Sequence, residues 1–234
     1  MIFLHGANSG GSELGPFVAA MQPYTAVRTP NIAGHAGRAL SERPTMRGLA
    51  DDLAAWMDGE GIERDVVGGY SIGGTLALYF ARHHPQRVSG VVTLAAKHVF
   101  DAAAMRYLQH LLTHERLERL VLPGARIRRV DELARLHAPN TWQDVADFNS
   151  RLFATFASDP PLPAADLAAI RAPVMIVSAS LDQIVPWAET LALGRALPDA
   201  NVAMFYGPGH PLLAIPLPAI ARAIHQWMVQ KKLA

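Results

Sequence analysis

The chain has 234 residues, half of them hydrophobic, a formal net charge of +1 and no cysteine. That length supports one sizeable core with room for an inserted subdomain, and so balanced a charge argues against a nucleic-acid or membrane-surface partner. The missing thiol excludes disulfides, thiolate metal sites and a cysteine nucleophile.

The start, Met1-Ile2-Phe3-Leu4-His5-Gly6, lacks the basic region and long apolar stretch of a signal peptide. No segment reaches the roughly 20 uninterrupted apolar residues of a membrane span, so a cytoplasmic protein is expected. Met1 to Leu4 reads as a buried strand feeding a glycine-rich loop, His5 to Gly11, and then a helix from about Ser12 to Met21. The loop satisfies G-x-x-x-x-G from Gly6 to Gly11, but Ser12 stands where a phosphate-binding loop needs lysine. Its remaining use is to present backbone N–H groups to an anion, which an oxyanion hole requires.

Thr25 to Arg28 looks like a second short strand, followed by a loop through Arg38. Leu49, Leu53 and Trp56 lie on one face of a helix from Thr45 to about Gly59. Asp65 to Gly68 is a strand, Ile72 to His83 a helix, and Val88 to Ala95 an almost wholly apolar strand suited to the centre of a parallel sheet. From Lys97 to Ala165 only helix-like patterns occur, ending at Pro160-Pro161-Leu162-Pro163. Alternation resumes with a strand at Pro173 to Val177, a helix at Pro186 to Leu197, a strand at Asn201 to Tyr206 and a helix from about Leu213 to Lys231. The pattern predicts an α/β fold with a mostly parallel sheet flanked by helices. Residues 1–96 and 166–234 would form the core, and residues 97–165 an all-helical insertion.

One stretch organises the chemistry. Ser71 sits in G-Y-S-I-G, between an apolar strand and a helix, which is the pattern of a nucleophile elbow. Residues two before and two after such a serine approach neighbouring backbone closely, and both are glycine, Gly69 and Gly73. The helix beginning at Ile72 adds N–H groups and a positive dipole end beside any developing oxyanion. A serine needs a base and a group to orient that base. In a parallel sheet those partners belong just after later strands, where Asp182 and His210 stand. Each has a plain structural alternative, a turn cap for Asp182 and a glycine-flanked loop residue for His210.

With those residues in view, the chain resembles the α/β-hydrolase superfamily over nearly its whole length, in the branch with a helical lid. The matching pieces are His5-Gly6, Gly69 to Gly74, Leu181 to Pro186 and Gly207 to Pro211; Ala33 to Gly37 is similar to the family's P-G-H-G loop. The resemblance implies a triad of Ser71, Asp182 and His210, oxyanion donors at the backbone N–H of Ile72 and Ala7 with Asn8 as the fallback, and no cofactor. It also places Met1 to Leu4 at the family's third strand, so the usual leading strand pair would be missing. The glycine usual before the acid is replaced by Ala179 and Ser180.

The same resemblance makes the insertion a roof over the site, with Tyr107, Leu108, Leu111, Trp142, Phe148, Leu152 and Phe153 as apolar candidates to meet a substrate or simply to pack the helices together. Candidate substrate-binding residues are His5, Asn8, Tyr70, Lys97, Trp142, Phe148 and Trp187, with Lys97 suited to a substrate carboxylate or to the surface. His98 shares its position. His110 and His114 lack the glutamate of a zinc-protease helix, so no metal is expected. Arg126, Arg128 and Arg129 read as a solvated basic face. The leading expectation is a serine hydrolase, monomeric or homodimeric, acting on a small ester, thioester or lactone. C–C bond hydrolysis or lyase chemistry with the same triad, or a ligand receptor on a retained hydrolase scaffold, are the alternatives.

Overall fold

A computed structural model describes residues 1–120, 129–207, 209–210 and 216–233. Strands β1 (Ile2–Leu4), β2 (Asp65–Tyr70), β3 (Val88–Leu94), β4 (Val174–Ala179) and β5 (Ala200–Phe205) form one sheet. They lie in that order, each parallel to the next. The helices are α1 (Gly15–Met21), α2 (Met46–Gly59), α3 (Ile72–His83), α4 (Ala102–Leu111), α5 (His114–Arg119), α6 (Arg129–His137), α7 (Trp142–Thr155), α8 (Ala164–Ala169), α9 (Trp187–Ala196) and α10 (Leu217–Gln230).

Alternate strand residues feed two hydrophobic layers, as the side-chain period of two requires. Ile2, Leu4, Val67, Val91 and Ile176 join residues of α2, α3, α7, α8 and α9 on one face. Phe3, Val66, Val92, Met175 and Val177 join Phe17 of α1 and Ile224 and Trp227 of α10 on the other. Burial on both faces is why β2 to β4 read as continuous apolar runs.

Three boundaries differ from the sequence pattern. The helix expected from Ser12 is a 3-10 turn, Gly11–Leu14, before α1, whose first turn holds Pro16 with its preset φ. The expected strand at Thr25 to Arg28 is reduced to a single parallel bridge, with Arg28 bonded to Met1 and Phe3 beside β1. The helical run after β3 continues through α8 to Ala169, with no strand among its described residues. Arg126 and Arg128 of the expected basic face, and Leu213 of the last helix, lie outside the described residues. So do Pro208 and Pro211 of the last motif.

This run does not stand apart from the core. Met105, Leu108, Phe148, Leu152, Phe153 and Phe156 belong to the same cluster as the sheet, whereas Leu117, Val130, Leu133, Trp142 and Ala146 form a small cluster joining α5, α6 and α7.

Candidate active site

β2 ends at Tyr70 and α3 begins at Ile72, so the chain reverses direction across Ser71 alone. Ser71 holds φ 55° and ψ −124°, in the region that favours glycine. The glycines around it are required by contact. A Cβ on Gly69 would lie 2.2 Å from the Gly73 carbonyl carbon, and one on Gly73 would lie 2.5 Å from the carbonyl oxygens of Leu4 and His5. The turn is fastened by Ser71 N–H to Leu94 O, 2.9 Å, on β3.

Asp182 follows β4 and His210 follows β5, at the same edge of the sheet. His210 Nδ1 lies 2.8 Å from Asp182 Oδ2, and His210 Nε2 lies 2.9 Å from Ser71 Oγ. An ionised carboxylate only accepts, so Nδ1 carries the proton and Nε2 is left to accept from the serine hydroxyl. Asp182 Oδ1 accepts from the N–H of Ile184 at 2.8 Å and of Val185 at 2.9 Å. Burial pushes the Asp182 carboxyl up, but the His210 hydrogen bond and charge and the two backbone donors outweigh it and hold it below its ordinary value. The Tyr70 hydroxyl donates to His210 O at 2.7 Å, fixing the loop that carries the imidazole.

Ile72 N–H lies in the first turn of α3, where helical N–H groups have no partner within the helix. Ala7 follows His5-Gly6 in the loop after β1. His5 is fully buried and has both nitrogens engaged: Nδ1 donates to Gly6 O at 2.8 Å and Nε2 accepts from Ile32 N–H at 2.9 Å. Expected at the substrate, it instead clamps this loop onto the next. Asn8, at φ 49°, accepts at Oδ1 from Asn149 Nδ2 of α7, 2.9 Å away. Arg129, at the start of α6, pairs with Glu13 and donates to Asn8 O at 3.3 Å.

The other expected contacts divide between internal packing and the exposed surface. Lys97 is paired with Glu189 at 2.6 Å and is not held out to a substrate. Trp142 packs within the small helical cluster, and Phe148 packs against Gly34 and edge-on to His35. Trp187 opens α9 and is partly exposed. Leu108, Leu152 and Phe153 are core residues, Leu111 packs against that core, and Tyr107 is exposed. His114 pairs with Asp147, and among the described residues no group of three or more His, Asp or Glu is arranged to hold a metal ion. A cleft of about 370 Å³ beside α2 and α3 is lined by Tyr79, His83, Phe156 and Asp159 and by none of Ser71, Asp182 and His210.

The alpha/beta hydrolase family model matches residues 1–223. The chain belongs to that family. The hydrolase is 30% identical to a pimeloyl-[acyl-carrier protein] methyl ester esterase of Aromatoleum aromaticum over 92% of this chain and 93% of that one. Among solved structures, a haloalkane dehalogenase of Bradyrhizobium elkani superposes with TM-score 0.75 at 21% identity, covering 99% of this chain and 90% of that chain. An enol-lactonase of Burkholderia xenovorans superposes with TM-score 0.71 at 20% identity, covering 100% and 91%. Identities of that size speak for the fold alone.

Two contributors to this candidate site are not evident from the sequence pattern. Asn149 left a trace, a polar residue amid the apolar face of Val145, Ala146, Phe148, Leu152 and Phe153. Glu189 left none, since an acid in a first helical turn is ordinary.

Proposed function

We propose that this hydrolase cleaves a small carboxylic ester, thioester or lactone through a Ser71–His210–Asp182 triad and an acyl-enzyme. The observation that carries the reading is the continuous hydrogen-bonded line from Ser71 Oγ through the imidazole to a buried carboxylate, at 2.9 and 2.8 Å, built on a positive-φ elbow. The esterase named above supports the ester class.

Ser71 Oγ attacks the carbonyl carbon while His210 Nε2 takes its proton. The tetrahedral oxyanion faces the N–H groups of Ile72 and Ala7. As the carbonyl re-forms, the C–O or C–S bond breaks and His210 gives the proton to the leaving alcohol or thiol. Water then attacks the acyl-enzyme, loses its proton to His210, and the acid departs as Ser71 recovers its hydrogen. Asp182 fixes the imidazole tautomer and stabilises the imidazolium. The helices between β3 and β4 act as the lid over this chemistry.

Fluorophosphonate labelling read by intact mass tests the nucleophile without knowledge of the substrate. The expected outcome is one adduct on the wild type and none on Ser71→Ala; an adduct surviving the substitution, or none on folded wild type, overturns the reading. On a methyl or p-nitrophenyl ester, Ser71→Ala should lower turnover about 10⁶-fold and Asp182→Asn about 10⁴-fold.

A further inference from the structure

Lys97 follows β3, and its backbone and side chain are fastened to different halves of the site. The buried Thr75, one turn into α3, donates through its hydroxyl to Lys97 O at 2.7 Å, while its N–H donates to Ser71 O at 3.2 Å. The Lys97 ammonium reaches the other way. It donates to Glu189 Oε2 at 2.6 Å and to Ile184 O at 3.2 Å. That carbonyl belongs to the same peptide unit as the Val185 N–H, which donates to Asp182 Oδ1 at 2.9 Å. Glu189 completes the clamp, its Oε1 accepting from the N–H groups of His98 and Val99, both at 2.9 Å.

Lys97 and Glu189 are only 12% and 9% exposed. An ion pair so buried loses in desolvation much of what it gains in attraction, and well-packed apolar residues would often serve stability as well. Its geometry gives it another use. A peptide whose oxygen receives an ammonium is polarised, so its N–H becomes a stronger donor to the carboxylate behind it. The His98 ring is also close to Glu189, at 3.6 Å, but its Nδ1 makes no hydrogen bond, so the carboxylate serves Lys97 and the two backbone groups.

We propose that Lys97 and Glu189 are positioning residues that hold the Asp182 loop in register with His210 and Ser71. The inference rests on the triad reading above. Neither residue touches substrate; they act through the 184–185 peptide, and Thr75 ties the same unit to the nucleophile's helix.

The test compares Lys97→Met, Lys97→Arg and Glu189→Gln, and combines Lys97→Met with Asp182→Asn. The readouts are kcat and KM on a p-nitrophenyl ester, fluorophosphonate labelling rate and Tm. Lys97→Met should lower kcat and labelling about 10- to 100-fold with KM within about 2-fold, and Lys97→Arg should restore most of the loss. Glu189→Gln should move kcat the same way by less. In the Asp182→Asn background, Lys97→Met should cost less than about 3-fold, because the group it positions is already disabled. Unchanged kcat in Lys97→Met and Glu189→Gln, a rise in KM alone, or the same loss in both backgrounds overturns the proposal. If Lys97→Met does not fold, Glu189→Gln carries the same double-mutant comparison. A wild type that labels on Ser71 while these variants match it removes the positioning role alone; an unlabelled wild type removes the triad reading itself.

Discussion

Ser71 keeps a side chain at φ 55° and ψ −124°, where a Cβ is strained and a glycine is not. The hydroxyl is carried there at a cost in stability. Ser71→Ala removes the hydroxyl and keeps the strain; Ser71→Gly removes both. Gly also loses more backbone freedom on folding, which offsets part of the gain. Ser71→Gly should therefore be more stable than Ser71→Ala by about 1 kcal/mol, about 2–4 °C in Tm for a chain of this size. Calorimetry on the two inactive variants checks it, and a Tm for Ser71→Gly below that of Ser71→Ala would show the turn to be unstrained, because only the entropy cost of glycine would then remain. At this scale the sequence is legible where chemistry demands a residue type at a fixed offset, as for Ser71, Gly69 and Gly73. Asp182 and His210 were legible because strand ends converge at one edge. It is silent where a common residue acquires its role from a distant partner: nothing near Lys97 or Glu189 in the chain tells of the other.

The elements follow the same division. α2, α3 and the strands β2 to β5 lie within a residue or two of the hydrophobic pattern, because period and burial agree there. Thr25 to Arg28 has β-type residues, yet bridges β1 at Arg28 alone, with Ala26 O accepting from the Met1 ammonium just before the strand, since strand length is decided by the partner and not by propensity. The helices between β3 and β4 were visible as helices, but not their attachments. α7 is the instructive one. The fully buried Asn149 offers its amide to Asn8 Oδ1 at 2.9 Å and to His35 Nε2 at 3.0 Å, joining α7 to the loops after β1 and after the Arg28 bridge. Asn149→Leu keeps the number and branching of the side-chain heavy atoms and leaves both acceptors buried without that donor, a loss of about 1–3 kcal/mol for each. The substitution also deletes the unpartnered Asn149 Oδ1, which returns part of it. A net destabilisation of about 2 kcal/mol is expected in urea denaturation, with amide exchange accelerating most across residues 6–10. A neutral result would mean that these loops hold themselves.

Across the whole molecule, the loops near Ser71 and the helices above them meet on buried histidines. His5 and His35 stand edge to face at 5.1 Å, and His35 and His137 at 6.0 Å, all three essentially without solvent exposure. Burial is the main cause that lowers each: His5 to about 4, His35 well below its ordinary value and His137 below it, with neighbouring positive charge assisting. The folded protein therefore holds these rings neutral at a pH where the unfolded chain, titrating near 6.5, already binds protons. Stability from this source is complete above about pH 6.5 and declines as pH falls toward the folded values. His5 alone accounts for about 3 kcal/mol across that window, from a shift between 6.5 and about 4. Asp182 acts in the same direction at lower pH: its folded value is depressed, so its contribution is present above the unfolded carboxylate range and is lost as pH falls through the folded one. Urea midpoints should thus be level from about pH 8 to about pH 7 and drop steeply by about pH 5. His5→Asn, which places no titrating ring at that position, should start less stable and show a shallower drop. A wild-type midpoint unchanged down to about pH 5 would mean that the three rings take up protons in the folded state as readily as in the unfolded chain, and that the seam between loops and helices opens to water without unfolding.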